Sequence, residues 1–379
     1  MEKRTIYISQ PVLGEEEWQS LKGPLESGWV TQGPKVREFE NLFGEKHSVK
    51  HAMATTSCTT ALHLALAALG VGPGDEVLVP AFTWVSTANV VLYCGATPVF
   101  VDIDPKTMNI DPRDIAHRIT DKTKAIIPVH LFGLCADMDA IREAAPGLAI
   151  VEDGACAAGA TYKGTPAGAL GDMGCFSFHP RKSVTTGEGG MLTTNRDDLA
   201  DLANQMRNHG ATISEEQRHH GPKPYILPDF NLLGFNYRMT DLQGAVGVVQ
   251  MGKLDSFINE RNEWAQYYKR ELADLEWLQT PEVPEGNRHG WQSFATLVDE
   301  SKSPCSRNEM MEKLQAKGIS TRPGTHAVHM LHLYAEKYSL KPEDYPGARL
   351  VNDCSMAIPL HNRMSAEDYA YVVAAMHDL

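Results

Sequence analysis

Three short segments of the 379-residue chain concentrate residues that could do chemistry. The first runs Thr55-Thr56-Ser57-Cys58-Thr59-Thr60, directly ahead of an Ala/Leu-rich helical run that starts at Ala61. A helix start presents N–H groups without intrahelical partners and a partial positive charge. Hydroxyls beside it add donors, so the segment suits a phosphate, or else it is a plain N-cap. The second is Glu152-Asp153 at the end of the apolar run AIVED. A carboxylate at the carboxyl edge of a buried parallel strand is desolvated unless a cation or a donor meets it. Asp153 is therefore a site candidate, and capping of the next turn is the plainer alternative. In the third, FSFHPRKSVTTGEGG (176–190), a strand-like run enters Pro180, two basic residues, two threonines and a glycine cluster suited to a tight backbone approached by a ligand. Lys182 sits just past the strand end, where a desolvated amine could form a Schiff base with an aldehyde.

The three segments complete one another. Pyridoxal phosphate asks for an amine to take its aldehyde, an anion site for its phosphate, a carboxylate to keep its ring nitrogen protonated and an aromatic face to stack on. Lys182, Ser57-Cys58-Thr59, Asp153 and Trp84 (in FTWVS, 82–86) supply all four.

These residues need elements to hold them. Between about 50 and 195, short β-branched runs (75–80, 98–103, 124–129, 149–153, 174–178) alternate with helical stretches such as TALHLALAALG. That rhythm predicts an α/β fold with a mainly parallel central sheet, whose ligands lie at the C-terminal strand ends. Thr240 and Gln243 have capping-box spacing ahead of a helical run, and a long amphipathic stretch follows from Lys253 to about Leu275. Ser306 and Glu309 repeat the box before another helix. The division expected is a large domain over 1–254 and a smaller α+β domain over 255–379.

Composition bounds the partners. Lys plus Arg is 35 against 48 Asp plus Glu, a net charge of −13 that repels nucleic acid and anionic membrane surfaces at long range. Seven scattered cysteines without a C-x-x-C pair fit reduced thiols, and no apolar stretch is long enough to span a bilayer, so a cytoplasmic location is expected.

The strings TTSCTTALHLALAALG, PAFTWVSTANVVLYCGATPVFVD, KAIIPVHLFG, VEDGACAAGA, GCFSFHPRKSVTTGEGGMLTTN and LGFNYRMTDLQGAVG occur in that order. Together they resemble the DegT/StrS family of sugar aminotransferases over roughly residues 8 to 375. The resemblance implies a fold-type-I, aspartate-aminotransferase-like enzyme and a homodimer with shared active sites. Such enzymes aminate a keto group of a nucleotide-linked deoxysugar with L-glutamate as donor and 2-oxoglutarate as product. It places Lys182 at the Schiff base, Asp153 at the pyridine nitrogen and Trp84 on the ring. Ser57, Cys58, Thr59 and Ser177 fall at the phosphate, with Asn236 reaching the neighbouring subunit's phosphate, and His329 falls on the substrate-side loop. His326, Arg322 and Arg238 are expected beside the substrate. Arg181, Lys223, Arg238 and Arg322 are available to face a diphosphate. The stretch TRPGTHAVHMLHLYAEKY (321–338) is similar to GDP-perosamine synthases, which points to C4 amination of a 4-keto-6-deoxyhexose for amino-sugar and O-antigen polysaccharide synthesis. Cys156 departs from the family's Gln, Glu or His and is a poor partner for the cofactor's 3′-oxygen.

Two rivals share the fold. A sugar 3-dehydratase of this group replaces the lysine by histidine, which Lys182 opposes, and a non-catalytic relative is disfavoured by the intact constellation. No metal is expected: His326, His329 and His332 lack companion ligands at metal spacing, and His219-His220 reads as a loop near the sugar or an exposed turn.

Overall fold

The computed structural model describes residues 4–213 and 225–379, so His219, His220 and Lys223 lie outside the described residues. Seven strands form the central sheet: β1 His51–Thr55, β2 Glu76–Pro80, β3 Thr97–Val101, β4 Thr123–Ile126, β5 Ala149–Asp153, β6 Met173–Ser177 and β7 Gly190–Thr194. Their order is β1-β7-β6-β5-β4-β2-β3. The pairs from β6 through β3 are parallel, and β7 is antiparallel to both β6 and β1. The five expected strands are present. HAMAT and GMLTT were missed, because their Ala, Met and Gly residues dilute the strand signal that Val, Ile and aromatic residues carry. The reversed strand has a direct consequence for the site, since Gly190 at its start pairs with both Thr55 and Ser177.

Side-chain alternation decides what each face packs against. Val77, Val79 and Val151 join the helix Cys58–Ala68 in one apolar cluster. Leu78, Ile126, Ile150 and Phe176 join Phe39, Phe43, Leu254 and Ile258 in the other. Along β5, Asp153 therefore shares the face of Val151, toward Cys58, and Glu152 shares the opposite face with Ile150.

A single helix spans Asp241–Glu271, opened by the capping box of Thr240 and Gln243; the box of Ser306 and Glu309 likewise opens Arg307–Ala316. Where the long helix crosses the helix Pro34–His47, a Cβ on Gly247 would meet the Phe39 ring at 2.8 Å, so only a bare backbone lets the two approach. Its first half packs in the cluster of Phe39 and Phe43. Its second half, with Ala265, Tyr268 and Leu272, packs against a three-stranded antiparallel sheet of order β8-β9-β10, formed by β8 Leu278–Gln279, β9 Phe294–Val298 and β10 Ser355–Ile358. Ile6 joins this second core and bridges Ile319. Residues 326–351 fold back to the large sheet, where His326–Ala327 pair with Phe82–Thr83 and Tyr334 and Tyr345 enter the first cluster. Among the described residues, no helix is long and apolar enough to cross a membrane.

Candidate active site

Asp153 ends β5 and is 4% exposed. Thr87 Oγ1 donates to its Oδ2 at 2.8 Å, Ala155 N donates to Oδ1 at 3.1 Å, and the Cys58 thiol lies 4.0 Å from Oδ1. Burial raises its carboxyl above the ordinary Asp value, opposed by Thr87, Ala155 and the more distant charges of Lys182 and His130. Among the described residues, no Lys, Arg or His forms an ion pair with it. A buried carboxylate with spare lone pairs and no ion-pair partner among the described residues fits a site that receives a cation, such as a protonated ring nitrogen.

Thr87 belongs to the turn that also presents Trp84: Trp84 O accepts from Thr87 N at 3.1 Å, and the helix Ser86–Tyr93 follows. Trp84 is 60% exposed, and its ring meets that of His326 in a T-shaped pair, 5.5 Å between ring centres. An indole left bare beside a buried carboxylate offers a stacking face.

Lys182 lies in a loop that closes on Phe178, whose N donates to Gly189 O at 2.9 Å while its O accepts from Thr186 N at 3.0 Å and Thr185 Oγ1 at 2.7 Å. Three residues from two other segments, Gln292 and the long helix Asp241–Glu271, bracket the loop. Gln292 Nε2 donates to Arg181 O at 3.0 Å, Arg261 Nη1 to Ser183 Oγ at 3.2 Å, and Thr185 N to Gln250 Oε1 at 3.2 Å. The Lys182 amine donates to Cys156 Sγ at 3.1 Å. Burial pushes this amine down, but Cys156, Cys58 and Asp153 around it more than offset that, and its pKa is raised overall.

Ser57 is the N-cap of the helix Cys58–Ala68. Thr60 N donates to its Oγ at 3.1 Å, and Ser57 N donates to Thr60 Oγ1 at 3.0 Å. Capping and anion binding are compatible, because the N–H groups of Cys58 and Thr59 still lack a carbonyl four residues back. One glycine of the cluster has a further task. A Cβ on Gly190 would meet the Ser57–Cys58 peptide at 2.4 to 2.6 Å, so this glycine lets β7 touch the helix start. Ser177, paired with Gly190 at the end of β6, stands beside that helix start.

The remaining candidates divide. His326 reaches Trp84. His329 is wholly buried beside Tyr345, at 4.6 Å between ring centres, with Nδ1 unpartnered, and burial lowers its pKa. His332 is exposed beside Glu336, so the three histidines spaced by three point to different places. Arg322 is exposed at the edge of the small sheet, where its backbone pairs with Ala357. Arg238 bridges Thr55, and its Nη1 donates to Asn208 Oδ1 at 2.7 Å, with Nε buried and unpartnered. Asn236 is exposed and pairs through its backbone with Asn208; its carboxamide meets no other described residue.

Three contributors escaped the sequence reading. Thr87 holds Asp153, Gln292 grips Arg181, and Arg261 grips Ser183 from full burial; burial lowers the Arg261 pKa to about 10. A signal existed for Arg261, because Leu254, Ile258, Arg261, Ala265 and Tyr268 share one helical stripe, and an arginine on a buried stripe calls for a polar task.

This fold and this donor set are those of a pyridoxal-phosphate-dependent transaminase. The chain belongs to the DegT/DnrJ/EryC1/StrS aminotransferase family, whose model matches residues 11–377. It is 39% identical over 375 residues to the GDP-perosamine synthase of Caulobacter vibrioides, covering 98% of this chain and 97% of that protein. It is also 39% identical over 384 residues to the spore coat polysaccharide biosynthesis protein SpsC of Bacillus subtilis, covering 100% of this chain and 98% of the relative. The solved PLP form of Spr1654 from Streptococcus pneumoniae superposes with a TM-score of 0.90 at 29% identity, covering 99% of this chain and 100% of that one. The protein is a sugar aminotransferase.

Proposed function

We propose that the enzyme transfers the amino group of L-glutamate to C4 of a nucleotide-linked 4-keto-6-deoxyhexose, for amino-sugar and O-antigen polysaccharide assembly in the cytoplasm. The observation that carries this reading is the convergence of the Lys182 amine, the Asp153 carboxylate and the bare Trp84 indole on one end of the sheet. The C4 assignment draws on the 39% identity to a GDP-perosamine synthase and on the 321–338 stretch. When bound, pyridoxal phosphate supplies the electron-withdrawing ring that makes a proton on the donor's α-carbon removable.

The chain's own groups do the rest. Lys182 Nζ would hold the cofactor through its aldehyde and, as a free amine, would serve as the base that takes a proton from the donor's α-carbon and as the acid that gives it back, in either half-reaction. Asp153 would hold a proton on the cofactor's ring nitrogen, and Trp84 would offer its face to the ring. Ser57, Cys58, Thr59 and Ser177 hold the phosphate from the helix start, and Cys156 lies beside the lysine. In a homodimer Asn236 reaches the phosphate of the neighbouring site. Arg238, Arg322, His326 and His329 form the sugar-nucleotide side, with His326 against Trp84 nearest the ring. Because 2-oxoglutarate leaves before the sugar enters, double-reciprocal plots should be parallel.

The test is a panel of GDP-, UDP- and dTDP-linked keto sugars with glutamate, reading the aminated position by NMR. Amination at C3, or none with any 4-keto sugar, overturns the C4 assignment. The visible band of the bound cofactor should bleach with glutamate and be missing in Lys182→Ala; a band indifferent to glutamate means another donor.

A further inference from the structure

All seven cysteines are free thiols, and two of them meet an amine. Lys182 Nζ donates to Cys156 Sγ at 3.1 Å, and Lys313 Nζ donates to Cys305 Sγ at 3.4 Å. The second pair is an internal comparison. Lys313 is exposed and shares its amine with Leu379 O at 2.9 Å, so nothing confines it to the sulfur. Lys182 is confined, because bonds from Gln292 and Arg261 fix the residues on either side of it. Among the described residues, Lys182 Nζ is the one hydrogen-bond partner of Cys156 Sγ. The other thiols are poorer targets. Burial pushes Cys58 and Cys175 well above the usual thiol range, and Cys135 and Cys354 are raised too, with Cys94 at about 11. Oxidation favours thiols that solvent can reach, and Cys156 is half-buried, as is Lys182 beside it.

We propose that Cys156 and Lys182 form an oxidative modification site: a hydroperoxide joins them through a sulfur–nitrogen bond whenever the lysine amine is not engaged by the cofactor. In the first step the Cys156 sulfur attacks the peroxide oxygen and the O–O bond breaks. Hydrogen peroxide is reduced to one water, and the thiol is oxidised by two electrons to a sulfenic acid. In the second, Lys182 Nζ gives its ammonium proton to solvent, its lone pair attacks that sulfur and the S–O bond breaks; the hydroxyl leaves with one further nitrogen proton as a second water. The sum is one thiol, one amine and one hydrogen peroxide giving an S–N bond and two waters, with two hydrogens lost from the protein. A dithiol reverses it: its thiolate attacks the Cys156 sulfur, the lysine leaves as the amine, the cysteine returns as the thiol, and the dithiol closes to a disulfide. The linked protein holds no amine for an aldehyde, so it cannot take up cofactor until reduced.

The proposal rests on the cofactor-anchoring role of Lys182 in one arm only, the protection by bound cofactor, and its readout is a mass and not a turnover. Full-length protein stripped of cofactor is exposed to a few equivalents of hydrogen peroxide, digested and examined by mass spectrometry. The expected product joins the peptides of Cys156 and Lys182, weighs two hydrogens less than their sum and vanishes with dithiothreitol. It is at least tenfold more abundant than a Cys305–Lys313 product. Cys156→Ser forms none, and in Lys182→Met the sulfenic acid persists and is trapped by dimedone. Cofactor-loaded protein should form at least tenfold less. Cys156 remaining a thiol, or proceeding to the sulfinic acid with Lys182 unmodified in the stripped wild type, overturns the proposal. A silent sugar panel leaves this result standing. Equal linking in the loaded protein would overturn the cofactor-anchoring role of Lys182 and leave the modification site intact.

Discussion

Glu152 and Asp153 are neighbours at the end of one strand, both buried carboxylates, and they face opposite sides of the sheet. On Glu152, Oε1 accepts from Leu170 N at 2.7 Å and Gly171 N at 2.6 Å, and Oε2 accepts from Gly168 N at 2.7 Å and lies 2.9 Å from His130 Nε2. Asp153 has two such donors and a thiol at 4.0 Å. A carboxylate has about four acceptor positions. One side of the strand is therefore finished, and its carboxylate shapes the 168–171 loop; the other side keeps capacity for something not supplied by the chain. Chemistry at this sheet edge resides in what the fold leaves unsatisfied, not in which residue type stands there.

The sharpest way to separate the two sides begins with Lys182→Ala, which should lower amino transfer by up to about 10⁴-fold and leave the urea midpoint nearly unchanged. Glu152→Ala should do the reverse. It removes the acceptor of three backbone N–H groups and the partner of His130, and a cost of about 3–5 kcal/mol is expected in urea unfolding. A Glu152→Ala protein with the wild-type midpoint would break the comparison.

Asp153→Asn is the finer instrument. Burial holds the Asp153 carboxyl above its ordinary value. A group whose folded pKa is raised contributes stability below its unfolded pKa and loses it as pH rises through the folded one, so at neutral pH the ionised carboxylate is a strain on the cofactor-free fold. Asn should therefore raise the urea midpoint of the cofactor-free protein at pH 7, and the gain should fade toward pH 4. Transfer should fall by about 10²-fold, since an amide stabilises a ring cation poorly. A midpoint that drops at pH 7 would show that Asp153 is structurally finished as Glu152 is.

Much of this was legible before any coordinates. The five parallel strands showed as β-branched runs, and Lys182, Asp153 and Trp84 stood out because each sits just beyond an apolar run, at a strand end. What stayed hidden was long-range. Nothing in AIVED tells which carboxylate faces Cys58 until the register of β5 is known, and His130 is 22 residues from the Glu152 it meets. His329 and His326 look equivalent in THAVHM, yet pairing of His326 with Thr83 sends one ring to Trp84 while the other is buried under Tyr345. Gly190 read as part of a ligand loop because a glycine's neighbour across the sheet, here the Ser57–Cys58 peptide, leaves no mark in the local sequence.

The smallest effect is expected at Trp84. Its indole is 60% exposed and meets His326 in a T-shaped pair, so truncating it opens no cavity and should leave the urea midpoint within error of wild type. Its value lies in the face it offers, and an aromatic stack contributes about 0.5–1.5 kcal/mol beyond the area it covers. Trp84→Ala should then weaken cofactor retention by about tenfold in equilibrium dialysis, and Trp84→Phe should recover most of the loss. His326→Ala removes the T-shaped contact and keeps the indole itself, so it should leave retention nearly unchanged while affecting the sugar side. Should His326→Ala loosen the cofactor as much as Trp84→Ala does, the two rings act as one wall, and the division between a cofactor face and a sugar edge at this strand end would have to be redrawn.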